Sequence, residues 1–164
     1  MAFLHPDGIA EDILLQGSHG LGDIFSFLSD EMKYVTVTDL RWRFADSCSL
    51  GDASEELLRA ALINRAADSK VLSLHRLVQS AAMRRIEGPQ QARYLDAVVQ
   101  MLSWGFPDHW SKDIGHQFAA WSRCEKCLPH IYHLSEQKKL HDASPGDHQK
   151  YAELLLRCSW YVFL

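Results

Sequence analysis

The chain lacks a long apolar segment, an excess of positive charge and a dense set of cysteines. No apolar run in its 164 residues approaches the roughly 20 that a membrane-spanning helix needs, so we expect no membrane partner. The 17 basic residues are outnumbered by 21 acidic ones, which argues against a nucleic-acid partner. Four unevenly spaced cysteines are too few for a disulfide framework and favour a reducing, cytoplasmic setting. Residues 1–10 have neither the basic segment nor the apolar run of a signal peptide.

Motifs for phosphate binding and hydrolysis are missing as well. The sequence contains no G-x-x-x-x-G-K-[ST] loop to hold phosphates and no G-x-S-x-G nucleophile turn. Gly17, Gly20 and Gly22 follow no predicted strand, so they do not form a dinucleotide fingerprint. We therefore predict that the chain is not an enzyme and that it binds no cofactor by itself.

The spacing of apolar residues predicts a chain that is mainly helical. Helices are expected near residues 9–16, 21–28, 54–62, 75–87, 91–105, 119–140 and 148–163. Two short apolar segments flank the polar residues 66–70 and predict a β-hairpin near 63–74, although the loop has no glycine. This order of elements predicts a winged-helix-like domain over residues 1–88, followed by a helical region over residues 89–164.

Cys124, Cys127, His130 and His133 have the spacing of a candidate zinc site. On one helix, however, each three-residue step falls about 60° short of a full turn. Cys124 and His133 would then face opposite sides and could not share an ion. We expect two core cysteines and two partly exposed histidines, with no metal site.

Four stretches of the sequence resemble one protein family. They are residues 3–12 (FLHPDGIAED), 57–63 (LLRAALI), 72–79 (LSLHRLVQ) and 121–130 (WSRCEKCLPH). Together they are similar to the region that follows the nucleotide-binding module in fungal NB-ARC or NACHT proteins of the STAND type with tetratricopeptide repeats. The resemblance implies that residues 89–164 begin an antiparallel array of helices like those repeats.

Residues 29–52 depart from that resemblance, because the family joins its second and third helices through a much shorter segment. Residues 34–38 have strand propensity but no obvious partner. Two explanations stay open: a tolerated loop insertion and a retained intron. Either one predicts little burial in this segment and a fold that survives deletion of residues 31–50.

His75 is the one candidate site residue. In the family that the chain resembles, a histidine at this junction of strand and helix contacts the β-phosphate of ADP, and helix starts favour anions. Leu74 and Arg76 differ from the Met-His-Asp motif of plant relatives. Without the phosphate-binding module, His75 is expected to cap or pack the helix start in this chain, and to contact ADP only when that module is present.

These observations predict a non-catalytic module that relays the state of a nucleotide switch to a repeat sensor, as a fragment of a larger cytoplasmic protein. Its partners would be other proteins or an adjoining NTPase module, with ADP or ATP bound only in the parent. A stand-alone helical interaction module is one alternative. A winged-helix DNA-binding protein is another, which Glu55 and Glu56 disfavour. Because the sequence ends inside the first expected repeat, we also expect an incompletely covered apolar face on residues 151–163.

Overall fold

A computed structural model describes residues 1–17, 47–86, 88–106, 118–141 and 146–163. Over these residues the chain forms six helices and one small antiparallel sheet, so the predicted mainly helical fold class with a small hairpin is confirmed. The helices are α1 (11–17), α2 (Ser47–Arg59), α3 (Arg76–Arg85), α4 (Gly88–Gly105), α5 (Phe118–His141) and α6 (His148–Phe163). The strands are β1 (Ile9–Ala10), β2 (Ile63–Ala66) and β3 (Val71–Leu74). The predicted helix 21–28, on which the winged-helix arrangement depends, lies outside the described residues.

The sheet contains the predicted hairpin and one strand that was not predicted. Its order is β1-β3-β2, with Ile63 opposite Leu74 and Ile9 opposite Leu72. Lys70 supplies the left-handed residue of the hairpin loop, with a φ of 48°, where glycine is more usual. The prediction of a helix from residue 9 is wrong by two residues, because Ile9 and Ala10 pair with β3 before the helix begins.

Helix α2 begins and ends earlier than predicted. Its end is fixed by a Schellman motif, in which the N–H of Leu62 donates to the carbonyl of Leu57 and the N–H of Ala61 to that of Leu58. Ala61 takes the left-handed conformation of that motif, with a φ of 52°. Helix α2 starts at Ser47, inside the segment 29–52 that was expected to show little burial. Leu50 in its first turn is only 3% exposed.

The expectation of little burial in residues 29–52 has one exception at its C-terminal end, since Leu50 is buried whereas Cys48, Gly51 and Asp52 are exposed. Leu50 lies on the helix face that carries the apolar stripe of α2, so deleting residues 31–50 would remove a core side chain. Residues 29–46, including the predicted strand at 34–38, lie outside the described residues.

Helices α4, α5 and α6 pack against one another in alternating directions. Asp96 and Ser103 on α4 contact Gly146 and Arg157 in order, so α4 and α6 run parallel. On α5, Trp121 lies against Tyr161 near the end of α6, whereas Lys138 lies over the ring of Tyr151 near its start. Helix α5 therefore runs antiparallel to α6.

Helix α5 continues through Pro129, as the predicted helix near 119–140 does. On α6, Leu154 and Cys158 are buried, whereas Val162, from the same predicted stripe, is about half exposed. Part of the apolar face of α6 is thus covered by α4 and α5. Because this face is expected to be incompletely covered, we expect the amide hydrogens of α6 to exchange faster than those of α3.

One hydrophobic core joins the two halves of the chain. Phe3, Leu4 and Ile13 from the first half belong to the same buried cluster as Leu102 and Cys127 from the second. The packing is close where the halves meet: a Cβ on Gly17 would lie 2.0 Å from Cγ of Met101 and 2.9 Å from its carbonyl oxygen.

The two glycines at positions 17 and 51 give a matched test of this contact. Gly17→Ala should lower the free energy of unfolding by about 1–3 kcal/mol, because the added methyl group overlaps Met101. Gly51→Ala, on the open side of α2 with nothing within 4 Å, should raise it by about 0.5–1 kcal/mol. Urea unfolding followed by circular dichroism measures both. A neutral Gly17→Ala would show that the two halves do not meet here.

Candidate functional site

His75 lies between β3 and α3, at the predicted junction of strand and helix. Its backbone is extended, with φ −65° and ψ 133°, and its side chain caps the helix: Nδ1 accepts a hydrogen bond of 3.2 Å from the N–H of Leu77. One of the free N–H groups at the helix start is thereby satisfied. The rest of the ring is exposed to solvent.

This cap determines which nitrogen of His75 carries the proton. An Nδ1 that accepts a hydrogen bond has no hydrogen, so the neutral ring carries its proton on Nε2. Nε2–H is then a donor available to a ligand. In this tautomer, capping through Nδ1 and contact with a phosphate through Nε2–H are compatible.

Gln79, one turn further along α3, is a site residue that the sequence reasoning missed. Its backbone N–H donates to the carbonyl of His75 at 3.0 Å. Its side-chain Nε2 donates to two backbone carbonyls of the N-terminal segment, Leu4 at 2.7 Å and Ala2 at 2.8 Å. The side chain is only 8% exposed, and Nε2 also lies 3.3 Å from Nε2 of His133 on α5. A polar residue on the apolar face of α3 was the signal that could have identified it.

Three histidine rings from two segments lie close together, and one of them, His133, contacts Gln79. His5 and His133 contact edge to face, with ring centroids 5.7 Å apart, and His130 lies one turn before His133 on α5. Burial lowers the pKa of His133, and it lowers the pKa of His130 to about 4. His130 therefore stays neutral at pH 7. The backbone of Gly8 opposes this shift, although neither ring nitrogen of His130 forms a hydrogen bond of normal geometry with the described protein atoms.

The candidate zinc ligands do not form a metal site. Among the described residues, no group of three or more His, Cys, Asp or Glu side chains is arranged to hold an ion. Cys124 and Cys127 are core residues, as expected, and burial raises the pKa of their thiols to about 11 and about 12. His133 is partly exposed as predicted, but the same prediction for His130 is wrong, since that ring is 1% exposed and packs in the core.

Further contacts join the first half to α5. The carboxylate of Asp12 on α1 lies 3.2 Å from Nζ of Lys126. Both side chains are about half exposed, so this ion pair contributes little, about 0–1 kcal/mol. The buried hydrogen bonds of Gln79 are the stronger polar connection between the N-terminal segment and the helices.

An apolar groove lies beside α3. Helix α2, the hairpin, α3 and the first two residues of the chain surround a volume of about 390 Å³. Its apolar walls include Leu50, Leu57, Ile63, Leu74 and Val78. It is large enough for a few apolar side chains, and the polar residues among the described ones that line it are Ser54 and Glu56.

Residues 1–91 match the family described as a domain of unknown function, DUF7779. The chain belongs to the DUF7779 family. No curated protein and no solved structure matches the chain.

The DUF7779 match divides the candidate site. His75, Gln79 and the hairpin lie inside the matched residues, as do the N-terminal carbonyls that Gln79 binds. His130 and His133 lie beyond its end, on α5. Gln79, inside the DUF7779 region, thus contacts His133, which lies outside that region.

Replacing Gln79 tests whether its amide holds the N-terminal segment of the DUF7779 region. Gln79→Ala should cost about 1–3 kcal/mol of unfolding free energy, because two backbone carbonyls lose their donor. Gln79→Glu, of nearly the same shape, should cost at least as much, since a carboxylate cannot donate to them. The control is Gln90→Ala on the exposed side of α4, which should change stability by less than about 0.5 kcal/mol. Equal effects at positions 79 and 90 in urea unfolding would contradict this assignment.

Proposed function

We propose that the chain is a non-catalytic relay module, which transmits the nucleotide state of an adjoining NTPase module to a helical sensor region. The observation that supports this most is the shared helix α3. His75 at its start can face a phosphate, and Gln79 one turn later holds the N-terminal segment and contacts α5. A displacement of α3 would therefore act on the N-terminal segment and on α5.

The residues present could supply a small part of an ADP-binding site. His75 offers one Nε2–H donor, and Arg76 next to it is exposed and positively charged. One donor and one cation at a helix start can bias phosphate binding but cannot replace a phosphate-binding loop. The nucleotide would be held by the adjoining module, while this chain would sense it.

A cytoplasmic location belongs to the same proposal. All four cysteines are free thiols, three of them buried, which suits a reducing compartment. Among the described residues, no helix is both long and apolar enough to cross a membrane.

A stand-alone interaction module is the second candidate. The apolar groove beside α3 and the exposed Leu156 and Trp160 on α6 favour it, since such surfaces often receive partner proteins. DNA binding is disfavoured, because Glu55 and Glu56 project from the exposed side of α2, with Glu55 2.6 Å from Arg59. A gel-shift titration without any shift of duplex DNA at low salt would agree with this.

His75 can be tested with two substitutions that separate capping from sensing. His75→Ala removes both the cap and the donor, whereas His75→Asn keeps a good capping side chain but is too short to reach where Nε2 lies. In a protein that carries this chain behind its NTPase module, both should speed ADP release by roughly 2- to 10-fold, as expected for one hydrogen bond. Stopped-flow release of a fluorescent ADP analogue measures this.

Stability gives the control for this experiment. His75→Ala should lower the unfolding free energy by about 1 kcal/mol through the lost cap, and His75→Asn should leave it nearly unchanged. The chain by itself should give no heat with ADP in calorimetry. Unchanged ADP release in both variants would reduce His75 to a helix-capping residue.

A further inference from the structure

The N-terminal segment, α3 and α5 meet at one small polar junction inside the apolar core. We propose that this junction is a proton-sensitive latch, in which neutral His133 allows the N-terminal segment to stay docked and protonated His133 releases it. The proposal does not depend on any nucleotide at His75. It rests on two features of the junction that disfavour an added proton on His133.

The hydrogens of Gln79 are the first limit. Its amide nitrogen has two hydrogens, and the carbonyls of Leu4 and Ala2 lie at the two shortest distances, 2.7 and 2.8 Å. Nε2 of His133, at 3.3 Å, is a third neighbour. Because both hydrogens of Gln79 Nε2 point at the carbonyls, Nε2 of His133 can face this nitrogen only with its lone pair and not with an N–H. Rotating the Gln79 amide by half a turn would place its oxygen against two carbonyl oxygens. The network therefore fixes the orientation of the amide group and the position of the proton on the His133 ring.

The titratable and charged neighbours of His133 are the second limit. His5 contacts its ring from the N-terminal segment, Arg76 approaches from α3, His130 lies one turn away on α5, and the buried amino group of Met1 lies near His130. Among the described residues that act on its ring, Glu136, on the same helix, is the one that favours a positive charge. Burial is the largest cause that lowers the pKa of His133, followed by His5, and Arg76 acts in the same direction.

These limits determine the sign of the pH dependence. The pKa of His133 is below the ordinary 6.5 while the junction is closed, and we expect it to recover that value when the junction opens. The open state therefore binds more protons. The closed state has its full advantage above about pH 6.5 and loses it as the pH falls through the lowered pKa of His133.

Release would expose a defined apolar surface. Phe3 and Leu4 are almost fully buried, and the carbonyl of Pro6 accepts a hydrogen bond of 2.7 Å from the N–H of Leu74 in the sheet. Detaching the segment breaks these contacts while β2 and β3 can remain paired with each other. Acidification should therefore loosen the N-terminal segment before it unfolds the hairpin.

Hydrogen exchange of the whole chain, without nucleotide, tests the latch. The amides of residues 2–10 are followed at pH 7.5 and 5.5 and corrected for the intrinsic exchange rate. In the wild type, their protection should fall severalfold relative to α5, and at most by about tenfold, because pH 5.5 lies one unit below the ordinary histidine pKa of 6.5 that applies when the junction is open. In His133→Gln, which keeps a neutral acceptor, the fall should be less than about threefold. The control His148→Gln, an exposed histidine on α6, should behave as the wild type does.

Two results would overturn the latch: protection that does not change with pH in the wild type, or the same fall in His133→Gln. If His133→Gln does not fold, a nuclear magnetic resonance titration of the wild-type imidazoles decides the question. His133 titrating below 6.5 supports the latch, and a value at or above 6.5 excludes it. Because no step of this test involves ADP, it can fail while the relay function stands, and the reverse also holds.

Discussion

The Gln79 amide and its two carbonyl partners are the contact on which the arrangement of the chain depends. Ala2 and Leu4 lie in a segment with little regular structure of its own, and their buried carbonyls need donors. A side-chain amide on α3 supplies both. Once the segment is fixed, Phe3 and Leu4 enter the core, β1 can add to the sheet, and α1 can pack near the end of α4.

The two regions that the sequence suggested, residues 1–88 and 89–164, share one hydrophobic core, and Gln79 contacts His133 between them. The N-terminal segment and α1 lie between the hairpin and the α4–α5–α6 bundle, with Ile13 and Met101 at the boundary. A close-packed core tends to shift as a body and not to deform gradually, which is a property that the proposed relay would need.

The sequence predicted the elements in which apolar residues recur at regular intervals. Helices α3, α5 and α6 and the hairpin follow from apolar spacing alone, and their observed bounds agree with it. Strand β1, the early start of α2 at Ser47 and the burial of His130 were not foreseen, because each depends on contacts between residues distant in the chain. For the site, the junction position of His75 was predictable, but the role of Gln79 needed its three-dimensional partners.

Native-state hydrogen exchange tests most directly whether the two halves form one body. The amides through which β2 and β3 pair with each other, and those of α5, such as Ile131 and Leu134, should open with one common free energy at neutral pH. Gln79→Ala should lower both by the same amount, since its amide stabilises the segment that packs against both. Helix α5 opening at a clearly lower free energy than β3, with only β3 affected by Gln79→Ala, would contradict the account.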